Sequence, residues 1–175
     1  MTRLGGSDCE RALEGLLTQP VNAVSSLAFM AAGVLAIRAA MGLTGRPRFE
    51  VVVFAGALIG VGVGSFAYHG PQPAWAGAAH DGSIILALVL AGLVAATAAT
   101  RRRRLWRTGP GRLCVALVAG ALAAYAAGRT GSPLCDPVSW LQPHAVWHVL
   151  AAGSARALAW GAAAAHADRQ PSGTR

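Results

Sequence analysis

The stretch LQPHAVWHVL, residues 141–150, places two histidines, His144 and His148, in a run that is otherwise almost wholly apolar. Residues four apart lie one helical turn apart, so both imidazoles would project from the same face of a helix. The stretch opens the last of five apolar segments, which lie at about residues 21–43, 51–68, 83–100, 113–128 and 144–165. A membrane helix needs about 20 mainly apolar residues. The sequence therefore predicts an all-α fold, a polytopic membrane helix bundle with about five transmembrane helices.

The composition also favours a membrane protein. Of the 175 residues, 54% are hydrophobic and only 13% are charged, whereas an ordinary soluble domain has about 25% charged residues. The alternative is the buried core of a soluble four- or five-helix protein, which the length of the apolar runs disfavours. We expect residues 1–175 to form a single membrane domain.

The distribution of arginine predicts how the bundle is oriented. The net charge of +8 comes from arginine alone, since the chain contains no lysine. Arginines cluster after the first, third and fifth apolar segments, at 46–48, 101–107 and 169–175, and residues 69–80 contain none. The positive-inside rule then places the N-terminus outside and the C-terminus in the cytoplasm. Residues 1–20 become an external segment, and residues 166–175 become a polar cytoplasmic tail.

The same rule gives a reason for the most basic segment, RRRRLWR at 101–107. It resembles a nucleic-acid-binding patch, but its place directly after an apolar segment fits a topogenic role, so we expect no nucleic-acid partner. The first 20 residues lack the apolar core of a cleavable signal peptide, and the first helix is expected to act as the insertion signal. An alanine-rich, lysine-free chain is typical of a high-GC bacterium. We predict a multi-pass protein of the cell membrane, most simply the bacterial cytoplasmic membrane.

This topology brings several polar residues to one level of the bilayer. Ser65 and His69 end the second segment at the outer side, Asp81 begins the third, and His144 and His148 begin the fifth. Ionisable residues within membrane segments are costly and usually have a partner or a function. All five side chains are therefore expected near the outer leaflet.

Three neutral imidazoles from two helices suit a tetrahedral zinc ion with a fourth position left for water. Asp81 would then accept a hydrogen bond from that water or from a ligand imidazole. The alternative is that the histidines only satisfy hydrogen bonds near the interface, beside an aromatic belt. A haem is disfavoured, because His144 and His148 project the same way and cannot ligate its opposite faces.

Four blocks of sequence carry a resemblance to a known family: DCE at 8–10, PVNAVSSLAF at 20–29, GSFAYH at 64–69 followed by Asp81, and LQPHAVWHVL. With these blocks the chain resembles the alkaline ceramidase family, within the membrane hydrolase superfamily that includes the adiponectin- and progestin-receptor-like proteins. The resemblance implies zinc bound by His69, His144 and His148, with Ser65 and Asp81 as catalytic residues. It also implies hydrolysis of the amide bond of a ceramide-like lipid to a fatty acid and an amine.

The resemblance implies two further features of the external side. Cys9 and Cys135 match a cysteine pair of the family, so a disulfide between them is expected on the oxidising side of the membrane. Asp8 and Glu10 match calcium ligands of eukaryotic members, although Ala12 and Gln19 occupy positions where further oxygen ligands would be expected. The chain also departs from the family in its helix count, since members generally have seven and two between Asp81 and His144 are missing.

Other interpretations of the same residues remain open. One is a lipid-binding receptor or sensor of the same superfamily, and another is a membrane scaffold whose histidines hold no ligand. Gly56, Gly60 and Gly64 predict a ridge of small residues on which a neighbouring helix packs closely. Asn22 and Ser25 belong to a matching block but receive no chemical role. The expected partners are a lipid substrate and the bilayer, and no oligomeric state is predicted.

Overall fold

A computed structural model describes residues 4–101 and 109–167 of the chain. Within these ranges the chain forms five α-helices, namely α1 (Pro20–Ala40), α2 (Gly45–His69), α3 (Ala76–Arg101), α4 (Gly109–Ala127) and α5 (Pro143–Ala167). The predicted all-α helix bundle is thereby confirmed. Most of the arginine-rich segment at 101–107 and most of the predicted tail at 166–175 lie outside the described residues.

Two helices begin well before the apolar runs that predicted them. Helix α2 starts at Gly45 rather than near residue 51, and α3 starts at Ala76 rather than near residue 83. Apolar runs show only the part of a helix that contacts lipid or the core, whereas hydrogen bonding continues through polar turns. In α2 such a turn is supported by the Arg46 Nε donating to the Glu50 carboxylate at 2.7 Å.

The bundle has the surface of a helical membrane protein. Within the described residues, helices α1 to α4 are each long and apolar enough to cross a membrane. Large apolar side chains on the outside, such as Leu88 of α3 and Leu122 of α4, are well exposed. Exposed apolar surface of this extent needs lipid to cover it. The chain is therefore a membrane protein, and its assignment to a particular membrane stays a prediction.

Helix α5 differs from the other four, because its polar residues, including Arg156, keep it out of the set of apolar spans. Its length of 25 residues is nevertheless sufficient for a span. Helix α5 packs against every one of the other helices. Neighbouring helices therefore shield much of its surface from lipid, and a shielded helix tolerates polar side chains.

The helix crossings depend on glycines at points of very close approach. A Cβ on Gly64 of α2 would lie 2.8 Å from the Ala79 carbonyl oxygen of α3. The nearest atom to a Cβ on Gly60 would be the Ser83 Cβ at 3.7 Å, and a Cβ on Gly56 would meet nothing within 4 Å. The predicted ridge is therefore wrong at Gly56, because this position of α2 is exposed on the surface of the bundle. Small residues at close crossings are typical of membrane helices.

A segment outside the helices closes the end of the bundle that the arginine distribution predicts to be external, which we call the outer end. We name residues 4–19 the N-terminal cap. Its Glu10 carboxylate accepts hydrogen bonds from the backbone N–H groups of Val21 and Asn22, both at 2.8 Å, in the first turn of α1. These are amides that a helix cannot satisfy internally. A negative carboxylate at this end also complements the helix dipole.

Two matched alanine substitutions test the close approach of α2 and α3. We expect Gly64→Ala to lower the free energy of unfolding by about 1–3 kcal/mol, because its Cβ must displace backbone of α3. Gly56→Ala is the control and should be neutral or slightly stabilising, since alanine has the better helix propensity. Thermal unfolding in detergent measures both. Equal melting temperatures for the two variants would contradict this packing.

Candidate metal centre

The three histidines singled out from the sequence meet at the outer end of the bundle. His69 is the last residue of α2, and His144 and His148 occupy the first two turns of α5. One ring nitrogen from each lies within 4.8 Å of the others, and all three side chains are buried. The ring centroid of His69 lies 5.2 Å from that of His144 and 5.3 Å from that of His148. The structure thus brings together the complete predicted ligand set.

The position of the proton on His69 follows from its neighbour Gln19. The Gln19 Nε2 donates to the carbonyl oxygens of Gly5 at 3.0 Å and Glu10 at 2.8 Å. The amide oxygen must then face His69, whose Nδ1 lies 2.7 Å from it. An amide oxygen only accepts hydrogen bonds, so Nδ1 of His69 carries the proton. Its Nε2 is left with a free lone pair and has no hydrogen-bond partner.

A hydroxyl group fixes His148 in the same way. The Ser25 Oγ donates its only proton to the Asn22 carbonyl oxygen at 2.9 Å. The Nδ1 of His148 lies 2.8 Å from the same Oγ, so with the hydroxyl proton on the Asn22 oxygen the Nδ1 is the donor in that contact. The Nε2 of His148 is again buried without a partner. Two of the three imidazoles thus present an unprotonated Nε2.

His144 is held less directly than the other two. Its Nδ1 lies 3.4 Å from the Asp8 Oδ1, and neither of its ring nitrogens has a hydrogen-bond partner. The same Asp8 oxygen accepts a hydrogen bond of 2.9 Å from Arg129. Burial raises the pKa of Asp8 to about 6, and the charge of Arg129 opposes this shift. The backbone of His144 also packs closely against Gly128, because a Cβ on Gly128 would lie 2.6 Å from the backbone nitrogen of His144.

This arrangement has a donor set that could hold a metal ion. A metal-binding imidazole usually donates its other N–H to a fixed acceptor, which sets the tautomer and the ring orientation. His69 and His148 satisfy that condition through Gln19 and Ser25. Each buried acceptor left unpaired costs about 1–3 kcal/mol, and three such nitrogens face one another here. Three imidazoles also leave a fourth tetrahedral position for water, as in catalytic zinc sites.

The two predicted catalytic residues have different surroundings. Ser65 lies one turn before His69 on α2, is fully buried, and its hydroxyl has no hydrogen-bond partner. Asp81 lies at the same end of the bundle, but its side chain is 75% exposed. Its carboxylate accepts a hydrogen bond of 2.7 Å from the Nδ1 of His80. The expected contact of Asp81 with a ligand imidazole is thus replaced by a contact with His80.

His80 itself is a fourth imidazole beside the cluster. Its side chain is only 15% exposed. Its ring stacks on Tyr68 with centroids 4.2 Å apart and lies 6.0 Å from the ring of His69. His80 lies near the cluster because α3 approaches α2 closely at Gly64. A Cβ on Gly64 would lie 3.0 Å from the backbone nitrogen of His80. Asp81 therefore faces the outside, and His80 lies between it and His69.

The disulfide implied by the resemblance is confirmed. Cys9 and Cys135 are bonded, with Cα atoms 5.4 Å apart, and join the N-terminal cap to the loop before α5. The third cysteine, Cys114, is free and buried in α4, in keeping with a packing role.

The two candidate calcium ligands have other partners. Glu10 bonds the start of α1, and Asp8 pairs with Arg129. Across the described residues, the three-histidine cluster is the only group of three or more His, Cys, Asp or Glu side chains close enough to share an ion. Calcium ions usually take six to eight oxygen ligands. Calcium binding by Asp8 and Glu10 stays a prediction, with structural contacts assigned to both carboxylates.

Three residues near the cluster were missed by reasoning from the sequence: Gln19, Ser25 and His80. From the sequence, Gln19 stands only where a calcium ligand would be expected, and Ser25 has no pattern that predicts a role. Their partners His69 and His148 lie 50 and 123 residues away along the chain. Helical spacing reveals residues on one face of one helix, but it carries no signal for such distant contacts. His80 had a signal, since it stands directly before Asp81.

Metal content tests the ligand set directly. We expect purified wild type to contain about one zinc per chain, and His69→Ala, His144→Ala and His148→Ala each to lose most of it. His80→Ala is the matched control and should keep its zinc, because His80 lies outside the cluster. Elemental analysis measures all five proteins. A wild type without zinc, or a control that loses as much as the ligand variants, would overturn this assignment.

No protein-family model, no curated protein and no solved structure matches this chain. The resemblance to the alkaline ceramidase family rests on the sequence blocks quoted above.

Proposed function

We propose that this protein is a zinc-dependent integral-membrane hydrolase that cleaves the amide bond of a ceramide-like lipid, releasing a fatty acid and an amine. The observation that supports this most is the buried cluster of three imidazoles whose Nε2 atoms have no partner. Gln19 of the N-terminal cap and Ser25 of α1 each hold one ring of that cluster with a hydrogen bond. An arrangement that leaves three buried acceptors unpaired is explained by a cation that binds them.

We propose zinc as the bound metal, because three imidazoles with an open fourth position are the ligand set of some catalytic zinc sites. Neutral imidazole nitrogens suit zinc, copper, iron and nickel, whereas calcium and magnesium prefer oxygen ligands. Zinc supplies a Lewis acid that lowers the pKa of a bound water toward about 7. The remaining chemistry belongs to side chains of the chain itself.

Ser65 is proposed to stabilise negative charge on the substrate. During amide hydrolysis the carbonyl oxygen becomes negatively charged, and a preorganised donor in a dry site stabilises that charge. The Ser65 hydroxyl is buried, has no protein partner and lies one turn from His69. It is therefore free to donate to the substrate oxygen without giving up a bond within the protein.

Asp81 is proposed to orient His80, which acts as the general base. Because the Asp81 carboxylate accepts the Nδ1–H of His80, the Nε2 of His80 is left as a proton acceptor. A carboxylate that orients a histidine in this way favours its action as a base. The pair extends from the neighbourhood of His69 to the exposed side chain of Asp81. A proton taken up there reaches the leaving amine or the outer solution.

The surroundings of the cluster fit a lipid substrate. An apolar groove of about 250 Å³ lies between α1 and α5, and its lining includes Ser25, Val146 and Val149. Ser25 is also the residue that bonds His148. Binding pockets for whole drug-sized ligands are usually about 300–1000 Å³, so this groove would hold part of an acyl chain. An apolar chain bound there would reach the metal centre only through Ser25, since none of the three histidines lines the groove.

Hydrolysis of a ceramide-like amide by the purified protein tests the proposal. We expect turnover to fall at least about 100-fold after treatment with a chelator and to return when zinc is added. Equal turnover with and without the chelator would contradict a role for zinc.

The role of Ser65 is tested with a matched pair of serine variants. We expect Ser65→Ala to lower kcat by about 10²–10³-fold while zinc content stays at the wild-type level, since one transition-state donor is lost. Ser154→Ala is the control, because the Ser154 hydroxyl bonds only the Ala151 carbonyl oxygen within α5. If Ser65→Ala retains full activity, the proposed role is wrong. A protein that binds zinc and lipid without cleaving any amide is instead a receptor or sensor.

A further inference from the structure

Gln19 joins the metal centre to a part of the chain outside the helix bundle. Its side chain is fully buried, and every polar atom of its amide is used. The oxygen accepts from His69, and the nitrogen donates to Gly5 and Glu10 of the N-terminal cap. Gly5 has a φ of +74° and its missing Cβ leaves the space that the Gln19 amide fills. The orientation of this amide thus depends on where the cap holds two carbonyl groups.

The position of the cap depends in turn on the loop between α4 and α5. The Cys9–Cys135 disulfide is the covalent link between them. Backbone hydrogen bonds accompany it, from the Cys9 N–H to the Gly128 oxygen at 2.8 Å and from the Thr130 N–H to the Ser7 oxygen at 3.0 Å. Gly5 and Glu10 stand on either side of Cys9, within four residues of it. The disulfide therefore anchors the two carbonyl groups that orient Gln19.

We propose that Gln19 is a positioning residue that makes the metal affinity of His69 depend on the Cys9–Cys135 disulfide. The inference rests on the metal site of the proposed function. With the disulfide formed, the Gln19 oxygen faces His69 and keeps the proton on Nδ1, so that Nε2 is free to bind the ion. When the disulfide is absent, the cap keeps only its non-covalent contacts, such as the Cys9–Gly128 and Thr130–Ser7 hydrogen bonds, so the two carbonyl groups are held less firmly and the amide can rotate. Its NH₂ group then faces Nδ1, which favours the tautomer protonated on Nε2, and that tautomer cannot bind the ion.

His148 provides an internal comparison. Its Nδ1 is held by Ser25, which is itself bonded to the Asn22 carbonyl oxygen, and both residues belong to α1. The cap reaches this support only through the Glu10 carboxylate, which bonds the Asn22 N–H, while Ser25 and the Asn22 carbonyl oxygen are held within α1 itself. Loss of the disulfide should therefore affect the tautomer of His69 and leave that of His148 unchanged.

Zinc affinity in a double-mutant cycle tests the link. Affinity is measured by chelator competition on metal-free protein, with Cys9→Ser/Cys135→Ser as the variant that lacks the disulfide. Loss of an outer partner of a metal-binding histidine typically costs about 10–100-fold in affinity. We expect about a 10-fold loss on removing the disulfide from wild type and less than about a 3-fold loss on removing it from Gln19→Ala. Ser25→Ala is the control, in which removal of the disulfide should still cost about 10-fold.

A second measurement reports the tautomers without any metal. Nitrogen NMR of the histidine rings should show the proton of His69 on Nδ1 in wild type and a mixture of tautomers in the disulfide-free variant. His148 should show no change. If the serine variant fails to fold, reduction of the disulfide in folded wild type takes its place, and Gln19→Leu with the disulfide intact tests the Gln19–His69 step, since it should lose the His69 Nδ1–H signal.

Several outcomes would overturn the inference. An undiminished effect of disulfide removal in the Gln19→Ala background would show that the disulfide acts by another route. An unchanged affinity on disulfide removal from wild type would show that there is no coupling. A wild type that binds zinc equally tightly with the disulfide formed or reduced would contradict this inference but not the proposed hydrolase. A wild type that binds no zinc overturns the metal site and the inference together.

Discussion

Two hydrogen bonds at the Nδ1 atoms of His69 and His148 determine what the outer end of this bundle can do. Gln19 and Ser25 each offer only an acceptor to their histidine, so both rings keep the proton on Nδ1. Each Nε2 is then buried with a free lone pair, close to the ring of His144. The chemistry proposed for the protein follows from this tautomer, since a protonated Nε2 cannot bind a cation.

Close contacts between helices hold the three histidines in position. Gly64 lets α3 approach α2 beside Ser65, and Gly128 lets the end of α4 reach the backbone of His144. Helix α5 contacts all four other helices and carries two of the three ligands at its start. The N-terminal cap closes this end and is joined to the opposite loop by the Cys9–Cys135 disulfide. Bundle, cap and disulfide thus converge on one small region at the outer end.

Much of this organisation can be predicted from sequence, because it depends on local spacing. Apolar runs near 20 residues predict the five helices, and the pair His144 and His148 follows from one helical turn. What local spacing cannot supply is the environment of a side chain. It misses the bond of Gln19 to a histidine 50 residues away, and it places Asp81 at the ligands when the carboxylate bonds His80 instead. It also predicts a ridge of Gly56, Gly60 and Gly64, of which only Gly64 meets the backbone of a neighbouring helix and Gly56 is exposed. A four-residue repeat drifts around the helix axis, so its spacing alone does not show which members face a neighbour.

X-ray absorption spectroscopy at the zinc edge tests the central claim most directly, because it reports the atoms bound to the metal in the purified protein. Three imidazole nitrogens at about 2.0–2.1 Å and one further light atom are the result expected for Nε2 ligation by His69, His144 and His148. Fewer than three imidazoles, or sulfur at about 2.3 Å, would contradict the account.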